Sequence, residues 1–411
     1  MFVGSPYGGR GGSFGESRSS RGSAQGALGR RLAQIARAPP PSQGLPQDAE
    51  LEREFGGRFL TDYTKKRLLG RGACGAVWLA ASSRHPGGFV AVKQVAKGSD
   101  QKTRADERAA NAEIAVGGLL FGQNGVPRLD ETEHPGMRHI TKLFQAMETK
   151  HDLWMVMEFG GDPLSKALFE IKGEFASRGA AQPRERVYRV HHLPLFEAMK
   201  QDVGLLQRLL AQVLKALVLL SDLGIVHADI KPDNLLIDTS LSEPKIRLCD
   251  FGSAFMFDSP GTLVLATPEY MPPEALETCI AHAQGCGGAA ARAPLAQPWS
   301  FDVWSLGAIL LELAYGVPHW LSYKCRVRAM DGRRDLTLTG LFAVPSRDHD
   351  RIITRQQEIC SEDGLWQRLR DAPGIPVNRE LLDLLEAMLR WDPSARISPS
   401  AALCGTFLGG R

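Results

Sequence analysis

Gly70-Arg71-Gly72-Ala73-Cys74-Gly75-Ala76-Val77 places three glycines between two runs of strand-forming residues. Without side chains in the way, backbone N–H groups at such a hairpin can close over phosphate oxygens. A glycine-rich hairpin on its own is more often a plain turn, so its neighbours must decide. About twenty residues on, Val90-Ala91-Val92-Lys93 sets a lysine on an otherwise apolar strand,. Its ammonium has to find an anion there, because burying it unpaired is costly. Phosphate oxygens and a helix carboxylate both suit. The candidate acid is Glu113 in Asn111-Ala112-Glu113-Ile114, with Glu107 as its rival,.

Two further blocks follow in order: His227-Ala228-Asp229-Ile230-Lys231-Pro232-Asp233-Asn234, then Leu248-Cys249-Asp250-Phe251-Gly252. A lone loop aspartate is usually a cap or turn residue, and a lone lysine is usually a solvated charge. Taken together in this order, the blocks leave little room for that reading. On them the chain resembles the eukaryotic protein kinases of the serine/threonine type over roughly residues 63–408, with Ala228 where the family usually has arginine before the catalytic aspartate,.

The resemblance implies an enzyme that passes the γ-phosphate of ATP, with Mg²⁺, to serine or threonine hydroxyls of protein substrates. It gives Asp229 the substrate hydroxyl proton, Lys231 the γ-phosphate, Lys93 the α- and β-phosphates with Glu113 as its partner, and Asn234 with Asp250 the Mg²⁺. Gly70, Gly72, Ala73, Gly75, Val77 and Ala91 would line the nucleotide, with Met157 as gatekeeper. Glu158-Phe159-Gly160 would offer backbone to the adenine edge and Asp162 a contact to the ribose. Lys231 and Thr267 carry the serine/threonine preference. Non-catalytic family members typically lack the lysine or one of the two aspartates, and Lys93, Asp229 and Asp250 are all in place. By the same resemblance Glu274, in Pro272-Pro273-Glu274, pairs with Arg396, and Asp302 bonds the catalytic-loop backbone.

Two departures bear on control. Ala228 removes the cation that ordinarily docks a phosphorylated activation loop, which makes control by loop phosphorylation doubtful. Gly117 and Gly118 follow Glu113 by one helical turn and weaken that helix by about 1 kcal/mol each relative to alanine, which suggests a mobile helix controlled by a partner or an insertion. The motif spacing places insertions near 165–203, 277–298 and 322–376,. Cys279, His282 and Cys286 offer only three zinc ligands at irregular spacing, so a solvated loop is the better reading. Cys74 could be oxidisable, yet nothing lowers its thiol pKa in the sequence.

The elements that must hold these groups read as α+β. Short strand-like runs at 63–69, 76–80, 89–95, 142–147 and 153–159 and one helix make a small antiparallel N-terminal lobe, residues 63–159. A larger, mainly helical lobe runs from 162 to 408. Within it, 205–226 is amphipathic and too polar to span a bilayer, and 303–313 is short enough to be a buried core helix. Forty-nine basic against forty-six acidic residues leave a net charge of +3. No uniform field argues for DNA or an anionic membrane as the main partner. Seven scattered cysteines fit a reducing compartment, hence an intracellular protein, cytoplasmic or nuclear,. Residues 1–60 form a Gly/Ser/Arg/Pro-rich tail whose first 47 residues hold no lysine and only Glu16 as an acid, a composition of disorder,. The same composition suits an organelle transit segment, with 28–38 as its helix, and both readings stand. Nucleic acid is not an expected partner except through the Gly8-Gly9-Arg10-Gly11-Gly12 run of this tail,.

Overall fold

The computed structural model describes residues 62–72, 75–85, 88–176, 185–258, 267–283, 297–318, 327–328, 349–360, 365, 369–370 and 372–409. The tail readings, Ala73 and Cys74, Ser259 and Thr262, and Cys286 therefore lie outside the described residues. The N-terminal region is a five-stranded antiparallel sheet in the order β1-β2-β3-β5-β4. Its strands are β1 (Thr64–Gly72), β2 (Gly75–Ala81), β3 (Phe89–Ala96), β4 (Leu143–Glu148) and β5 (Asp152–Glu158). Alternation divides their apolar residues between two faces. Val90, Val92 and Val156 join Tyr63 and Ala80 on one side. Val95, Leu153 and Met155 meet Ala110 on the other.

Ala110 belongs to α1 (Gln101–Leu120), which starts where the Asp100 carboxylate accepts from the Lys102 and Thr103 amides,. The helix runs unbroken through both glycines. A Cβ at Gly117 would stand 2.6 Å from Leu143 Cδ2, whereas one at Gly118 would meet nothing within 4 Å. Gly117 is therefore the place where β4 comes closest to the helix, and only Gly118 is a glycine without a packing reason.

The chain then crosses to β6 (Asp162–Pro163), which pairs with the C-terminal region at Leu236 and Ile237. There α2 (Val203–Asp222) and α4 (Ser300–Tyr315) form the centre of the core, with α6 (Arg379–Met388) packed on α4. Between α2 and α4 come β9 (Ile225–Val226), β10 (Leu235–Asp238), β11 (Lys245–Leu248), β12 (Phe255–Met256) and α3 (Pro273–Ala283). Fifteen consecutive residues of α4, 300–314, are buried. α2 is the one described helix long and apolar enough to cross a membrane, and 56% of that stretch is buried in the core. That is how the central helix of a folded lobe reads.

The mainly helical expectation misses one feature. Within 165–203 the chain forms a hairpin of β7 (Phe169–Ala176) and β8 (Glu185–His192), and β13 (Val327–Arg328) adds to it in parallel. Phe169 and Val190 anchor the hairpin in the main core. Its period-two alternation is visible in Phe169-Glu170-Ile171-Lys172,. The motif spacing alone marks only an insertion there.

Candidate active site

β3 delivers Lys93 into the cleft between the lobes, 7% exposed. Its Nζ lies 2.6 Å from Glu113 Oε2 and 3.1 Å from Asp250 Oδ1. Glu113, not Glu107, is thus the helix acid that meets it. Burial alone would lower the ammonium's pKa, but the Glu113 and Asp250 carboxylates outweigh it and hold Lys93 above the ordinary lysine range,. Asp250, in turn, is a carboxylate that burial would raise and that Lys93 holds below its usual range. Its backbone sits at φ +63, a left-handed conformation that costs a non-glycine residue about 1–2 kcal/mol,. The neighbouring contacts must supply that.

Asp302, buried in α4, braces the neighbouring loop, where Ala228 takes a left-handed φ of +65. Its Oδ2 accepts from the His227 amide at 2.7 Å and its Oδ1 from the Ala228 amide at 2.9 Å. Burial pushes the Asp302 carboxyl up, and these two amides oppose the push. His227 then ties the loop to the Asp250 segment, through Nε2 at 3.0 Å from the Cys249 carbonyl and an edge contact with the Phe251 ring at 4.8 Å. One carboxylate on a rigid helix thereby sets the geometry of both catalytic segments.

Asp229 is fully engaged. Its Oδ1 accepts from the Thr267 amide (3.0 Å) and hydroxyl (2.7 Å). Its Oδ2 accepts from Lys231 Nζ (2.7 Å) and Asn234 Nδ2 (3.0 Å). Lys231 Nζ also reaches Thr267 Oγ1 at 2.7 Å. Asn234 Nδ2 donates a second time, to the Asp229 carbonyl at 2.8 Å, so its side-chain oxygen is the atom left for a ligand,. The segment carrying Thr267 is fixed further along by Glu274, which takes a two-pronged grip from Arg396 at 2.6 and 2.8 Å. The Arg396 side chain is fully buried and lies over the Trp304 ring.

In the glycine hairpin Gly72 pairs with Gly75. Gly75 adopts φ +136, and a Cβ there would come within 2.1 Å of the Gln94 carbonyl. Only glycine lets the hairpin lie so close over β3. Gly70 borders open space, as a wall facing a ligand does. Val77 pairs with Lys93, and Ala91 pairs with Met157. Met157 also faces Leu143 across β4, at the back of the cleft. Glu158 turns its side chain away from the cleft to Arg247, 3.1 Å distant. Gly160 lies against Leu236, and Asp162 is exposed beside it in β6. Sequence reasoning missed Arg247; a charged residue inside Ile246-Arg247-Leu248 was the available signal.

A strand lysine, two aspartates and an asparagine converge under a glycine hairpin, at the seam between a small sheet and a helical lobe. That arrangement is built for phosphoryl transfer. The family model for the protein kinase domain matches residues 63–408. Among curated relatives, the serine/threonine-protein kinase dkf-1 of Caenorhabditis briggsae is 32% identical over 277 residues, 66% of this chain and 28% of the relative. The mitogen-activated protein kinase HOG1A of Wallemia ichthyophaga is 27% identical, over 86% of this chain and 80% of its own length. Cyclin-dependent kinase D-1 of Arabidopsis thaliana is 27% identical, over 83% and 69%. The chain spans less than a third of the dkf-1 kinases. It belongs to the protein kinase family.

Among the described residues no group of three His, Cys, Asp or Glu side chains is placed to hold a metal ion by itself. The hard oxygens of Asn234 and Asp250 suit Mg²⁺ when a nucleotide's phosphates complete the shell, which is the usual way that ion is bound. Gly75's close approach and the Lys93 ammonium fit the phosphates themselves. Zinc at Cys279 has no such support, since burial pushes that thiol up, away from the thiolate a metal needs,.

Proposed function

We propose that this chain is an active protein kinase that transfers the γ-phosphate of Mg-ATP to serine or threonine hydroxyls of other proteins. The observation that carries the reading is Lys93 reaching Glu113 and Asp250 at once, the assembled arrangement that phosphoryl transfer requires,. Lys93 grips the α- and β-phosphates beneath Gly70, Gly72 and Gly75. Val77, Ala91 and Met157 enclose the base, Glu158 and Gly160 offer backbone groups to its edge, and Asp162 takes the ribose. Asp250 and Asn234 hold Mg²⁺, which when bound neutralises charge on the phosphate oxygens. Asp229, oriented by four hydrogen bonds, receives the substrate hydroxyl proton. Lys231 stays beside it at 2.7 Å to offset charge on the transferring group. Its contact with Thr267 supports a serine or threonine acceptor.

The test is phosphate incorporation from Mg-ATP into a generic basic protein, followed by phospho-amino-acid analysis. Incorporation on serine or threonine that Asp250→Ala abolishes bears the reading out. Nucleotide binding without transfer by the wild type makes the chain a scaffold and overturns it. We further propose that its activity does not depend on a phosphorylated activation loop, because Ala228, where the family usually has arginine, is 1% exposed inside an apolar cluster. The triple variant Ser253→Ala, Ser259→Ala, Thr262→Ala then keeps most of its activity, and a tenfold loss of rate or more refutes the point. An intracellular setting is supported by free thiols at Cys249, Cys279, Cys360 and Cys404,.

A further inference from the structure

α5 (His349–Cys360) follows the third insertion and carries none of the family's motif residues, yet it buries Ile352, Gln356 and Ile359. Ile352 enters the apolar cluster of Ala228, Phe255, Met271 and Phe301. One turn later Gln356, 4% exposed, donates from Nε2 to the Met271 carbonyl at 2.8 Å. That carbonyl needs a side-chain donor. Pro272 and Pro273 carry no N–H, and the Ala275 and Leu276 amides of the following helix are both directed at the Pro272 carbonyl,. Met271 also follows Tyr270, whose carbonyl accepts from Ser305 Oγ at 2.8 Å and whose hydroxyl donates to Glu312 Oε2 at 2.7 Å.

The other end of Gln356 is unfinished. Its Oε1 is buried with no hydrogen-bond partner, and so is the indole N–H of Trp304 on α4. Gln356 and Trp304 both line one cavity of about 10 Å³ between α4, α5 and Leu389. A cavity of roughly that size holds one water, and a buried water needs at least two polar partners. One residue on its wall carries an orphan acceptor and another an orphan donor, which make such a pair.

We propose that Gln356 is a positioning residue for the turn at 267–274 that receives the protein substrate, fixed by a single buried water bridging Trp304 Nε1–H and Gln356 Oε1. This rests on the kinase reading above. α4 then holds the turn three times, directly through Ser305 and Glu312 and through the chain Trp304, water, Gln356, Met271. No phosphate is needed to order it, and the apolar packing of Ile352 beside Ala228 stands where other family members place a cation.

The experiment compares wild type with Gln356→Met, which keeps the volume and loses the donor, and with Gln356→Leu, which is close in size and has no donor, should the first fail to fold. Hydrogen exchange of the 270–276 amides is read alongside the KM values for ATP and for a generic basic protein substrate. The expected result is faster exchange at 270–276 and a protein KM raised about tenfold, with the ATP KM unchanged. Trp304→Phe, which removes the indole N–H together with its five-membered ring, shifts exchange at 270–276 in the same direction. Unchanged exchange at 270–276, an unchanged protein KM, or a parallel rise of both KM values overturns the proposal. If the wild type transfers no phosphate, the kinase reading fails and exchange alone decides whether Gln356 orders the turn.

Discussion

The loop 227–234 is held by opposite means on its two sides. Toward the cleft, Asp229, Lys231 and Asn234 are locked with Thr267 in a net of hydrogen bonds, several of them charge-assisted, near the Lys93, Glu113 and Asp250 ion pairs. One residue away, Ala228 faces Val226, Phe255, Met271, Leu276, Phe301 and Ile352. On the proposed function, charge stands where a nucleotide is gripped, and apolar contact where nothing charged has to come and go. An ionic net responds to phosphate, salt and pH, whereas apolar packing is indifferent to phosphorylation and weakly dependent on ionic strength.

The largest expected effect tests the charged side. Asp250→Ala lowers the transfer rate by roughly 10³-fold or more, as loss of a group that stabilises developing charge does, while urea unfolding stays near wild type. A matching collapse in stability makes the ion pairs structural and breaks the contrast. Next comes Arg396→Met. It strands Glu274 as a partly buried unpaired carboxylate, which costs about 3 kcal/mol of stability in urea unfolding, and adding Glu274→Met recovers much of the loss,. Smaller again is Ala228→Arg, which places a guanidinium among apolar side chains and destabilises by about 2 kcal/mol, measured the same way. A neutral result there means the cluster opens to water, and the apolar side is then no different from the charged one.

The convergence of Lys93, Asp229, Asn234 and Asp250 was legible because these residue types make sense together in one order only. The glycine hairpin, the five strands and the deeply buried α4 were legible from alternation and apolar runs. The choice between Glu113 and Glu107 was not. Six residues of helix, at about 100° each, put the two acids on different faces, and only the packing of α1 on the sheet fixes which face turns inward. Nor could the sequence show what stands in place of the missing arginine. Ala228 announces an absence, but Ile352 and Gln356 reach that region from more than a hundred residues away, and no local pattern encodes such a contact. The hairpin at 169–192 carried its alternation openly; motif spacing treated it as an interval to be crossed.

The smallest effect joins the two sides, because the ionic grip of Lys93 depends on an apolar seam. α1 presents Glu113 only while Ala110, Ile114 and its glycine-lined face lie against Val95, Leu143, Leu153 and Met155. Gly118→Ala meets open space and stabilises by about 1 kcal/mol through helix propensity alone,. Gly117→Ala gains the same propensity, but its Cβ would stand 2.6 and 2.9 Å from Leu143 Cδ2 and Cβ. Overpacking costs about 1–3 kcal/mol, so this variant ends at or below wild-type stability. Its helix is pushed off β4, which lengthens the Lys93–Glu113 contact and slows transfer severalfold. Thermal unfolding and rates of the two single variants give the difference directly. Combining Gly117→Ala with Leu143→Ala restores the rate if the seam sets the ion pair. If Gly117→Ala matches Gly118→Ala in both measurements, the charged side holds itself together without the apolar one.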